Sequence, residues 1–313
     1  MSVATGGEPG NRLPGRITER LRLPVIVAPM LRVSGPDLVV AACRAGVIGA
    51  FPTANARTIE RLDEWLTIIA GATDGVPYCP NLVIRQPELV EHLDCLVRHR
   101  VPMVITSVGS PARVVGPLHE VGTLVLADVA TLEHARKAVA AGADGLVLLS
   151  AGAGGQTGWM NPMAFVRAVR EFFDGPLVLA GGIADGVALR SAITLGVDLG
   201  YMGTRFIAAT ESMADPAYRA MLVDASLDDI VLTSAFTGLP ANMLRPAIVA
   251  AGLDPDLLHE QVTPAEATEM FGATASGPRR WSEVYSAGHT VSAVHGVQTA
   301  AEIVEQTEKE FRG

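Results

Sequence analysis

The stretch GPLVLAGGIADGVALRSAITLGVDLGYMGTR, running from Gly175 to Arg205, decides the fold. It reads as strand, loop, helix, strand, loop. Leu177–Ala180 is an apolar run without polar alternation, as expected of a parallel strand covered on both faces. Asp185 then opens a helix over Gly186–Leu195, where its carboxylate can accept an orphan amide hydrogen of the first turn. Gly196 can take the left-handed conformation that ends a helix. Leu199–Met202 is the next strand, so the segment is one β–α–β unit.

The same alternation extends outward in both directions. Six more apolar runs read as strands: Val25–Ala28, Val47–Ala50, Tyr78–Leu82, Met103–Thr106, Thr123–Ala127 and Gly145–Leu149. Between them lie amphipathic stretches with helix-start residues. Ser34-Gly-Pro-Asp leads into Leu38–Ala45, Thr58 into Leu62–Ala70, and Gln86-Pro-Glu into a helix ending at Arg98. Thr131 leads into Ala135–Ala141, and Asn161-Pro into Met163–Phe173. Eight strands with repeats of ~25 residues predict a closed (β/α)8 TIM barrel in preference to an open doubly wound sheet.

Past Thr204 the pattern changes. Ala214–Asp224, Asn242–Ala251 and Pro264–Phe271 read as short helices, which gives a helical lid or insertion over residues 212–278. Ala293–Phe311 reads as a closing helix, so residues 279–313 are expected to pack back on the barrel core of residues 17–211. Residues 1–16, rich in Gly and polar side chains, read as a disordered arm without the apolar centre of a signal peptide.

Composition narrows the functional classes. The chain has 313 residues, 49% of them hydrophobic and 18% charged, with a net charge of -9. That balance, without a Lys/Arg cluster, disfavours nucleic acid and anionic membrane surfaces as partners. No apolar run is long enough for a membrane span. Cys43, Cys79 and Cys95 lack metal or redox spacing and are odd in number, as expected of reduced thiols in a cytoplasmic protein. His92 and His99 read as a solvated helix face, and no metal-ligand spacing occurs. A homodimer is compatible with the sequence.

In a TIM barrel the loops after the strands build the site. Ala180-Gly-Gly-Ile183 follows the seventh strand and Met202-Gly-Thr-Arg205 the eighth. Glycines there let backbone amides approach an anion, so Gly181, Gly182, Gly203 and Thr204 form a candidate phosphate cradle. After the sixth strand, Ser150-Ala-Gly-Ala-Gly-Gly-Gln-Thr-Gly158 offers a surface for a flat ring. Its one long polar side chain, Gln156, cannot exchange a proton near neutral pH. Pro29 and Met30 after the first strand form a fixed turn with an adaptable apolar surface. Asn81 reads either as an amide for a pyrimidine-type ring edge or as a cap of the next turn. Asp128 reads either as a ligand-orienting carboxylate or as a cap near Thr131.

With these residues in hand, the chain resembles the nitronate monooxygenase family. The resemblance rests on Ala28-Pro-Met30, Ala151-Gly-Ala-Gly-Gly155, Ala180-Gly-Gly182, Tyr201-Met-Gly-Thr-Arg-Phe206, Thr233–Gly238 and Tyr285-Ser-Ala-Gly288. It implies a TIM barrel, non-covalent FMN and oxidation of alkyl nitronates by O2. By position it implies Gly181, Gly182, Gly203 and Thr204 at the phosphate, and Pro29, Met30 and Asn81 at the isoalloxazine ring. Ser150 and Gly155 would lie beside that ring. FMN-type enoyl-thioester reductases look similar, so an NAD(P)H-dependent flavin reductase is an alternative reading. A flavin-binding protein without catalysis is another.

The departures bear on mechanism. Family members usually carry His where this chain has Gln156, His-Asp-Val where it has Ala127-Asp128-Val129, and Ala-Gly-Gln where it has Ala287-Gly288-His289. A glutamine cannot replace an imidazole as a base. The sequence-based expectation is that a neutral nitroalkane reacts poorly and a preformed nitronate still reacts, with His289 as the candidate substitute imidazole.

Overall fold

Both faces of every central strand have to be covered, and the packing of alternate side chains shows how. Leu177 and Leu179 pack outward against helices while Val178 and Ala180 point into the barrel; Leu146 and Leu148 likewise face out and Val147 in. Unbroken apolar runs thus serve two separate cores. In the computed structural model, which describes residues 12–272 and 278–313, eight parallel strands close into a barrel in chain order. They are Val25–Val27, Ile48–Pro52, Tyr78–Val83, Met103–Ser107, Leu124–Val129, Gly145–Leu149, Leu177–Ala180 and Leu199–Met202. The ring is closed by Val25, Ile26 and Val27 pairing with Gly200, Tyr201 and Met202. This is the (β/α)8 TIM barrel expected from the sequence.

The helix starts follow the expected capping chemistry. Thr58, Thr131, Asn161 and Asp185 accept from Arg61, His134, Met163 and Ala188 backbone N–H groups respectively. Ser34 is different: it accepts from Met30 N–H at 3.0 Å and so braces the turn after the first strand. A helix that the sequence pattern does not announce, Ala112–Glu120, fills the step between the fourth and fifth strands. Its interior Gly116 and Pro117 lower its helix propensity, and packing of Val114, Val115 and Leu118 supplies the stability instead.

Four expectations need correction. Residues 1–11 lie outside the described residues, but residues 12–16 of the expected arm are folded. Leu13 is buried with Ile17 among Ile26, Ile48 and Leu199, where the two close the N-terminal end of the barrel. The lid is not purely helical. Besides helices Pro216–Asp224, Arg245–Ala250 and Pro264–Phe271, it holds strands Ile230–Thr233 and Ala241–Leu244, which form a small sheet with Gly155–Gln156. Part of the stretch read as helix from Asn242 is therefore strand. Residues 273–277 of the lid lie outside the described residues. The closing helix begins at Ala300, seven residues later than expected, because Thr299 and Glu302 form a capping box there. His92 and His99 are not a solvated face: His92 is buried against Gln86 and Thr53, and His99 bonds Asp63.

All three cysteines are buried free thiols. Among the described residues, no helix is long and apolar enough to cross a membrane. One polar knot ties the strands to their helices below the site. Buried Asp198 accepts from Arg170 at 2.7 Å, Leu177 N–H at 2.8 Å and Arg12 N–H at 3.1 Å. Removing one partner of such a group orphans the others. Asp198→Ala should destabilise the fold by ~3 kcal/mol, read as a lower melting temperature in thermal denaturation.

Candidate functional site

The strand alternation that builds the inner core also aims polar groups along the barrel axis. Ala127 and Val129 pack outward, which turns Asp128 inward above Leu126. By the same parity Cys79 and Asn81 face inward between outward Tyr78 and Leu82, and Tyr201 packs on the inner core. Of these, Asn81, Asp128 and Tyr201 line a cavity of about 330 Å³ that opens at the C-terminal end of the barrel, while Cys79 lies deeper in the inner core. That is the size of a small-molecule site.

Ten of the twelve expected site residues line this cavity: Pro29, Met30, Asn81, Asp128, Gly155, Gln156, Gly181, Gly182, Gly203 and Thr204. Ser150 does not. Its hydroxyl is buried and donates to Ala180 O at 2.6 Å, so it joins the sixth strand end to the seventh. His289 does not line it either. Its exposed ring packs against Gly152 on the outside of the glycine loop, while its N–H donates to Gly152 O at 2.9 Å. The structure thus places the expected substitute imidazole against the glycine loop and not among the residues that line the cavity.

The glycines after the sixth strand allow the chain to pack backbone on backbone. A Cβ on Gly154 would stand 2.8 Å from Gly288 N, and one on Gly288 would stand 2.6 Å from Gly152 O. Asn242 of the lid donates to Ala153 O at 2.7 Å. Gln156 itself pairs with Ala241 in the small sheet. The lid and the C-terminal segment together hold Gln156 at the cavity wall.

The residues of the expected phosphate cradle all line the cavity. Gly182 adopts φ +82° and has open space where a side chain would stand, so its backbone faces the cavity directly. Thr204 Oγ1 accepts from Gly288 N–H at 3.0 Å, which leaves its own O–H to donate elsewhere. Arg205, which the sequence reading left without a role, is buried behind these loops. Its guanidinium is held by three neutral oxygens, those of Ala184, Gln298 and Gln306. The Glu310 and Asp185 carboxylates also lie near enough to act on its charge.

Asn81 caps no turn. Its amide donates to Ile105 O and Ser107 Oγ, both at 3.1 Å, and accepts from Ser107 at 3.3 Å. This fixes its orientation at the cavity wall. Asp128 caps nothing either, since Thr131 performs that task. Its Oδ1 is shielded from solvent and has no hydrogen-bond partner, and burial pushes the carboxyl up to about 7. Burial also raises the Tyr201 phenol and the Cys79 thiol well above their usual ranges.

The sequence reading missed one whole wall. Tyr218 and Tyr285 stack with centroids 4.2 Å apart, and both line the cavity together with Trp281. Tyr218 also donates to Ser286 O. Tyr285 belongs to a segment singled out for its resemblance, but nothing in that segment alone announces its partner 67 residues earlier. Among the described residues, no Lys, Arg or His lines the cavity. On the barrel exterior Asp63, Cys95 and His99 lie close together, but Arg98 and His99 already occupy the Asp63 carboxylate, each at 3.0 Å.

Comparison with known proteins gives consistent results. The family model for nitronate monooxygenase matches residues 89–310. A hydroxy-methyl-oxo-octahydroindene carboxyl-CoA dehydrogenase of Mycobacterium tuberculosis is 28% identical over 76% of this chain and 68% of its own. Two solved structures are similar throughout. FabK from Thermotoga maritima has a TM-score of 0.81 at 28% identity, covering 95% of each chain. Nitroalkane oxidase from Streptomyces ansochromogenes has a TM-score of 0.76 at 28% identity, covering 94% of this chain and 97% of its own.

Proposed function

Because the chain belongs to the nitronate monooxygenase family, whose members are flavoenzymes, we propose that it is an FMN-dependent oxidoreductase acting on a small acidic-carbon or nitronate-like substrate with O2. The observation that carries this reading is the open backbone of Gly182 beside the Thr204 hydroxyl, an anion cradle with no side chain in the way. Gly181, Gly182, Gly203 and Thr204 would hold the phosphate, with Arg205 adding charge behind them. Pro29, Met30 and Asn81 would contact the ring, and Gly155 would lie beside it. FMN, when bound, supplies the two-electron acceptor that O2 restores.

The chain's own residues do the rest. Tyr218, Tyr285 and Trp281 exclude water and pack on the apolar body of the substrate. Gln156 orients the substrate through a neutral hydrogen bond. Gln156→Ala should therefore raise KM by about fivefold with little change in kcat and no new pH dependence, since one such bond contributes ~1 kcal/mol. Steady-state kinetics at several pH values checks this.

The test of the function is an absorbance spectrum of the purified protein, followed by anaerobic additions. The expected result is a yellow protein whose colour is bleached by a nitroalkane or nitronate and restored by air. Bleaching by NADPH alone, with none by either carbon substrate, would overturn it in favour of the thioester-reductase reading. That second reading is favoured by the carboxyl-CoA dehydrogenase among the relatives.

A further inference from the structure

Resting on the flavoenzyme reading above, we propose that Asp128 is the catalytic base of this site, taking a proton from the acidic carbon of an uncharged substrate. The placement comes from the fifth strand. Outward Ala127 and Val129 fix the parity that turns the carboxyl into the cavity, and no protein donor holds its shielded Oδ1. A carboxyl engaged in structure would be capped or paired, and this one is neither.

The other candidates for proton transfer are poorly suited. Gln156 cannot titrate. The titratable groups that face Asp128 are Cys79 from the third strand and Tyr201 from the eighth, and burial moves both away from neutrality. His289 stands outside the cavity. Asp128 itself is raised to about 7 by burial, which suits a base working near neutral pH.

Charge then selects the substrate. With no Lys, Arg or His among the described residues of the cavity wall, a preformed nitronate would meet an ionised carboxylate of the same sign. A neutral carbon acid does not. In the step, the substrate C–H bond breaks and its electron pair stays on the substrate, spread onto the nitro or carbonyl oxygens. The proton moves to the Asp128 carboxylate, so the negative charge leaves the residue as it arrives on the substrate. No oxidant enters this step. The expectation drawn from Gln156, that a neutral nitroalkane reacts poorly and a preformed anion well, is thereby reversed.

The experiment follows exchange of the α-hydrogens of nitroethane in D2O by proton NMR, anaerobically, with wild-type protein, Asp128→Asn and Asp128→Glu. Wild type should exceed the buffer rate by about tenfold or more, rising through about pH 7 to a plateau because the base must be ionised. Asp128→Asn should fall to the buffer rate, and Asp128→Glu should keep part of the activity. A wild type no faster than buffer, or an Asp128→Asn variant as fast as wild type, overturns the proposal.

A second arm needs neither substrate nor cofactor. A carboxyl whose folded value is raised costs stability as pH rises from its unfolded value to its folded one. Wild type should therefore lose stability relative to Asp128→Asn between about pH 4 and about pH 7, and no further above. A gap that does not change with pH overturns the proposal. Flavin content, measured separately, separates the two readings. Colourless protein that still speeds exchange keeps Asp128 and sinks the FMN reading, whereas yellow protein with pH-independent exchange does the reverse.

Discussion

Gly182→Val should give a folded protein that is purified colourless and takes up FMN at least ~100-fold more weakly, a loss of ~2.7 kcal/mol or more in binding. The size of the effect follows from where the new atoms go. A Cβ at Gly182 meets nothing within 4 Å in the protein, so its methyls project into open space at the cavity wall, where the proposed cofactor would bind. The backbone cost of φ +82° for a β-branched residue is ~1–3 kcal/mol, which a barrel of this size can bear. Gly181→Val is the contrasting case. Its Cβ would stand 2.6 Å from Ser150 Oγ and 3.0 Å from Ala151 O, so that variant strains the fold itself. Flavin titration followed by fluorescence, with thermal melts of both variants, distinguishes loss of the cradle from loss of the barrel. A Gly182→Val protein that purifies yellow would place the phosphate elsewhere.

The barrel strands were readable because their period-two packing demands apolar residues at most positions, inside and outside, with polar ones near the C-terminal ends, and few other local structures give such runs. Helix starts were readable where a capping side chain carries the signal, as at Thr58, Thr131, Asn161 and Asp185. The lid was not readable in the same way. Ala241–Leu244 is a strand because it pairs with Ile230–Thr233 and with Gly155–Gln156, partners distant in sequence. Its local composition runs directly into the helix Arg245–Ala250 and hides the boundary.

The site divides along the same line. Residues at the strand ends and in the loop glycines, such as Asn81, Asp128, Gly182 and Thr204, line the cavity at the barrel mouth. The aromatic wall and the outward turn of His289 depend on how the C-terminal segment crosses the barrel mouth. That crossing is set by long-range backbone bonds, Leu244 N–H to Tyr285 O at 3.0 Å and His289 N–H to Gly152 O at 2.9 Å. Composition around residues 285–289 carries no trace of those partners. Asp128 shows a further limit: its place at the fifth strand end was legible, but the inward turn and the missing hydrogen-bond partner that make it chemically distinctive are properties of its surroundings.

Gly186→Ala should destabilise the protein by ~3 kcal/mol or more and weaken flavin binding with it. Gly186 starts the helix that follows the seventh strand, at the point where the closing helix Ala300–Arg312 crosses it. A Cβ there would stand 2.1 Å from Phe311 N and 2.2 Å from Thr307 O, both backbone atoms that no rotamer change can move. The helices must separate, and the separation strains the burial of Ile303 and Val304 and the bond from Gly186 N–H to Glu310. The site is affected because Gln306 of the closing helix accepts from Arg205 at 2.9 Å, and Arg205 lies behind the loops proposed to hold the phosphate. Gly71→Ala is the internal control with the opposite sign. Gly71 lies within the helix Ile59–Ala72 and has nothing within 4 Å of its Cβ position, so alanine should stabilise by ~0.5–1 kcal/mol. Chemical denaturation of the two variants, paired with flavin titration, checks both signs. If Gly186→Ala melts like the wild type, the closing helix is not docked through this glycine, and the link from helix crossing to phosphate field fails with it.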